Sequence, residues 1–91
     1  MYKKKPVINE KYVMEYMNYL REQERSRATL KKYLHDLKTL ITFLNGDELT
    51  KAALINWKES LMTQYAPASV NSMIAAANGY VKYKGWYEKK A

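Results

Sequence analysis

Apolar residues return along this chain at helical intervals. Val13, Met17 and Leu20, flanked by Tyr12 and Tyr16, share one side of a helix predicted over 9–24, entered through Asn9 after Pro6. A stronger pattern follows. Leu30, Tyr33, Leu34, Leu37, Ile41 and Leu44 form a stripe centred near Leu37 and predict a helix over 27–44, with Ser26 as N-cap to the amide near Thr29. Asn45, Gly46 and Asp47 end it, Gly46 supplying a positive φ at little cost. Thr50 is placed to cap a third helix over 51–63, with Leu54, Trp57 and Leu61 as its buried stripe and Ile55 and Met62 widening it. Pro67 suits the first turn of a fourth helix over 67–84, with Val70, Met73, Ile74, Ala77 and Val81 on one face and Gly85 closing it. No alternation of period two supports a strand, so the expectation is all-α: a compact four-helix bundle, one domain over 1–91.

Composition narrows the class. With 91 residues, 47% of them hydrophobic, the chain has enough for one core and no second. It contains no cysteine, which excludes disulfides and thiolate metal sites and fits a reducing, cytoplasmic setting. The uncharged stretch from Tyr65 to Val81 is interrupted by Pro67, Ser69, Asn71, Ser72 and Gly79 and does not read as a membrane span. No apolar signal region follows Lys3, Lys4 and Lys5.

Charge adds direction. Sixteen Lys and Arg against nine Asp and Glu leave +7, and the excess is in blocks. Residues 25–38 carry +4, and each end of the chain carries +3, while 12–24 carries −2. Blocks of one sign are what a polyanion-binding face requires. The end blocks, with Lys3 to Lys5 and Lys89 to Lys90, read as solvated tails. The central block belongs to a helix whose other side is apolar. On that helix the face opposite the stripe holds Ala28, Lys32, His35 and Thr39, with Lys31 and Lys38 on a flank and Arg25 and Arg27 at the entrance. Small residues beside cations allow close approach to phosphate, and the first-turn amides add to the attraction.

Candidate chemistry is sparse. His35 is the one neutral-pH base and reads as a solvated surface histidine; the carboxylates are scattered, and Gly46, Gly79 and Gly85 are isolated rather than a phosphate loop. Nothing calls for a metal or cofactor. On the fourth helix, Ala68, Ser72, Ala75 and Gly79 form a small, uncharged outer side, with Ser69 and Asn71 in the first turn; it suits either DNA or a partner helix. Tyr80, Tyr83, Trp86 and Tyr87, interleaved with Lys82 and Lys84, either stack on bases or pack on helices one and three with their hydroxyls at the surface.

Taken in order, the segments SRATLKKYLHDL from Ser26, then Phe43-Leu44, then Leu49-Thr50 with Trp57 and Leu61, then APASVNSMIAAANGYVKYKGW from Ala66 resemble one family. It is the N-terminal core-binding, SAM-like domain of tyrosine recombinases, the phage integrase and Xer group, over roughly residues 9 to 86. The resemblance implies a helical bundle docked on duplex DNA at a core recombination site through helices two and four. It carries DNA contacts to Ser26, Arg27, Ala28, Thr29, Lys31 and Lys32, and to Ser69, Asn71 and Ser72. Arg25 and His35 join them from the basic face, while Tyr33 and Leu37 match core positions. Implied partners are double-stranded DNA, the protein's own catalytic domain and neighbouring recombinase protomers. The family's catalytic Arg, His-x-x-Arg and nucleophilic Tyr have no counterpart in these 91 residues, so the chain is expected to be non-catalytic and none of its nine tyrosines takes the nucleophile's role. A helical protein-interaction module is the rival expectation. Docking on an anionic membrane is weaker, because the apolar stripes are needed for a core.

Overall fold

Each helix begins where a side chain or a proline deals with its unpaired amides. The structure, a computed structural model, describes residues 7–85 and contains α1 (Glu10–Glu22), α2 (Arg27–Leu44), α3 (Lys51–Met62) and α4 (Pro67–Tyr83). The side chains of Asn9, Ser26 and Thr50 accept from the amides of Tyr12, Thr29 and Ala53 at 2.9, 3.1 and 3.0 Å. Ala66 makes no side-chain cap, and Pro67 opens α4 instead. Ile8 and Leu49 stand just before the first and third caps, and Val13 and Leu54 stand at the fourth helical positions. All four are buried in one core, the arrangement of a hydrophobic staple that fixes how the chain enters a helix.

The ends differ slightly from the periodicity. α1 stops at Glu22 rather than 24 because Glu24 takes a φ of 60°, outside the helical region. At the end of α2 both Asn45 (φ 48°) and Gly46 (φ 89°) are left-handed, so asparagine shares the task expected of glycine alone. Gly85, at φ 78°, follows the last turn of α4.

α1 and α2 run antiparallel, with Glu10 at the start of α1 reaching Lys38 in the second half of α2 at 3.6 Å. α4 packs against the other three helices, most extensively against α2, while α3 packs on α2 and α4. Leu37, Leu40, Leu54, Trp57, Val70, Tyr80 and Val81 are almost wholly excluded from water. Two expected core positions are corrected: Ile55 and Met62 are exposed, at 42% and 62%, because α3 is covered along Leu54, Trp57 and Leu61 only. α2 is also rotated from its expected setting. Asp36, Leu37, Leu40 and Leu44 are its buried residues, whereas Leu30, Tyr33, Leu34 and Ile41 are half-buried. Among the described residues no helix is long and apolar enough to cross a membrane, and no three acidic or histidine side chains are grouped to hold a metal.

Candidate nucleic-acid interface

The rotation of α2 redistributes its polar residues. At about 100° per residue the buried stripe is centred roughly 45° from Leu37, toward Leu40 and Asp36, so the outermost line becomes Arg27, Lys31, His35 and Lys38. Arg27, Ala28, Lys31 and His35 are exposed, as the sequence implied, but Thr39 is half-buried. Lys32 moves to the edge of the core. Its ammonium donates to Asp36 Oδ2 at 2.6 Å, and Asp36 is itself only 2% exposed. Ser26 and Thr29 are engaged with each other: besides the cap, Ser26 Oγ donates to Thr29 Oγ1 at 2.8 Å.

A cleft of about 630 Å³ lies between α1 and α2. Met14, Met17, Leu30 and Leu34 form its apolar lining, with Arg21, Arg25, Arg27 and Lys31 the charged residues around it, and none of the lining residues is acidic. A second cleft, about 560 Å³, runs between α1 and α4 past Tyr16, Tyr19, Leu20, Arg25, Gly79, Lys82 and Tyr83. Arg25 belongs to both, so Arg21, Arg25, Arg27, Lys31 and Lys82 bound two adjoining clefts. Sequence reasoning missed Arg21, hidden in a segment with net −2, and had Lys82 only as a neighbour of aromatics. The available signal was position: Arg21 is in the last turn of α1, four residues before Arg25.

Tyrosines wall the second cleft. Tyr16 meets Tyr80 edge-on at 5.6 Å and Tyr83 at 4.9 Å between ring centroids, and Tyr19 meets Tyr83 at 4.8 Å. Tyr80 and Tyr83 therefore pack on α1, as one of the two expected uses had it, but the Tyr80 hydroxyl is buried rather than at the surface; Trp86 and Tyr87 lie outside the described residues. Burial pushes the Tyr16 hydroxyl up to about 12, nearby Tyr33 adding to the rise and Arg25 opposing it. Burial likewise raises Tyr80.

The small side of α4 is not all outward. A Cβ built on Gly79 would lie 2.9 Å from Tyr16 Oη, so this glycine makes room for α1 rather than for an outside partner. Of the expected outer side, Ala68 and Ala75 are exposed while Ser72 and Gly79 are half-buried; Ser69 is exposed and the neighbouring Ala76 is fully buried. Asn71 is about 160° around the axis from Ser69. It lines a separate cleft with Lys58, Met62 and Tyr65 on the α3 side, so Asn71 does not share a patch with Ser69 and Ser72.

This geometry defines a class: a small all-α domain that gathers cations around a shallow, apolar-lined cleft. The family model of the phage integrase N-terminal SAM-like domain matches residues 13–88, and the chain belongs to that family, which implies a tyrosine recombinase role. No curated protein and no solved structure gives a match.

Proposed function

We propose that this chain is the core-binding domain of a tyrosine recombinase, holding duplex DNA at the recombination site while a separate domain cuts and rejoins strands. The observation that carries the reading is the set Arg21, Arg25, Arg27, Lys31 and Lys82 around two clefts that meet at Arg25, with no acidic residue lining either. Such a set meets phosphates. Arg25 and Arg27 also stand beside the first turn of α2, whose dipole attracts anions, and exposed Ala28 leaves space for the backbone. Lys31 and His35 extend the contact along α2. Lys32 contributes its half-exposed stem, its charge being shared with Asp36. From α4, Ser69 and Ser72 offer hydroxyls and the uncapped first turn offers amides. Asn71, on the far edge, is assigned no part. The partners are double-stranded DNA, the catalytic domain and neighbouring protomers; the domain itself performs no chemistry and takes no cofactor.

Titration of a labelled duplex into the chain at two salt concentrations tests this. If about four phosphates are neutralised, log K falls with log salt at a slope of roughly −3 to −4, from a micromolar dissociation constant at low salt. Absence of binding at low salt, or affinity indifferent to salt, overturns the reading.

A further inference from the structure

We propose that the cleft between α1 and α2 docks an acidic amphipathic helix from a protein partner, and that this helix and duplex DNA exclude one another. The docking stands on the cleft alone; only the exclusion rests on the proposed DNA contacts.

The cleft has two unlike parts. Its charged residues suit a phosphate backbone, but its apolar part does not. Met14 is 41% exposed, and Leu30 and Leu34 are only half-buried, although they belong to the apolar stripe of α2. A duplex seated on the cations brings no side chain to cover them, so that apolar surface stays in water. A helix with a leucine stripe flanked by glutamates serves both parts at once. Its leucines cover Met14, Leu30 and Leu34, with the flexible methionine adjusting to their shape. Its carboxylates reach Arg21, Arg25, Arg27 and Lys31, none of which is in an ion pair among the described residues. Charge also decides against a second copy of this chain, because a net +7 on each partner opposes association. The same arginines cannot neutralise glutamates and phosphates together. An acidic partner therefore takes the domain off DNA by competing for its cations.

The experiment uses the full 91-residue chain and a fluorescent synthetic peptide of about 18 residues, with leucine repeating at i, i+3, i+4 and i+7 and glutamate on both flanks. A control peptide of equal charge carries serine for leucine. The leucine peptide should bind saturably and about tenfold tighter than the serine peptide. Met14→Gln, at an exposed site where the fold survives, should weaken the leucine peptide about fivefold and leave duplex affinity within about twofold. Arg27→Ala should weaken both ligands. Saturating leucine peptide should release bound duplex. Equal affinity for the two peptides, or indifference to Met14→Gln, overturns the docking. A ternary complex of chain, peptide and duplex overturns the exclusion, and self-association blocked by Met14→Gln assigns the cleft to a second copy and overturns the choice of occupant. If the peptide binds through Met14 but no duplex binds at any salt, the docking is supported and the DNA reading, with the exclusion, falls.

Discussion

Lys32 and Asp36 show how one contact changes the meaning of a charge. On a helical wheel Lys32 belongs to an outer basic face; in the bundle its ammonium is the partner of a carboxylate that is 2% exposed. Lys32→Ala leaves that carboxylate buried without its cation and should cost about 1 to 3 kcal/mol in urea unfolding. Arg27→Ala, on an exposed position, should stay within about 0.5 kcal/mol and still weaken duplex binding. Equal stability of the two variants would remove Asp36 from the core's electrostatics. Tyr16 gives a second test. Its hydroxyl is raised from 10 to about 12, so between those values the folded state keeps a proton that the unfolded state loses. Stability is then complete below pH 10 and falls as pH rises through 10 to 12, by up to about 1.4 kcal/mol per unit from this group. Tyr16→Phe should flatten that part of the stability profile, measured by urea unfolding at stepped pH.

Between helices, the contact of Gly79 with Tyr16 reverses an ordinary expectation. Gly→Ala inside a helix normally gains about 1 kcal/mol from propensity. Here the new methyl would meet Tyr16 Oη at 2.9 Å, and that ring can yield only by disturbing its contacts with Tyr80 and Tyr83. Gly79→Ala should lower the melting temperature. Adding Tyr16→Phe removes the obstructing oxygen and should recover the stability lost, a coupling that a double-mutant cycle reads directly. The helices themselves were legible in the chain. Ser26 and Thr50 mark helix starts through contacts three residues away and Pro67 through its fixed φ and missing N–H, and Leu37, Leu54, Trp57 and Val70 mark their inner sides. Leu37→Ala should accordingly cost about 2 to 5 kcal/mol by calorimetry or urea unfolding. The turn of α2 toward Leu40 was not legible, because leucines at 30, 34 and 37 weigh as much in a local pattern as those at 40 and 44.

Across the bundle, the proposed function depends on which cations come together. Arg21 and Lys82 are far apart in the chain, yet each lines a cleft that contains Arg25. Arg21→Ala and Lys82→Ala should each lower the steepness of the salt dependence of duplex binding by roughly one unit of slope, while Lys58→Ala, beside Met62 on the α3 side, should leave it unchanged. A larger effect from Lys58 would move the docking face to α3 and α4. The division between what was readable and what was not follows the range of the forces. Four helices, three of their caps and the apolar residues that drive collapse were written locally, since a cap or an amphipathic stripe is completed within a turn or two of its own helix. The rotation of α2, which buries Asp36 beneath its i+4 partner Lys32, the inward use of Gly79 and the meeting of Arg25 with Lys82 were settled by packing. Each depends on which neighbour occupies the space beside a helix, and that neighbour comes from a distant part of the chain.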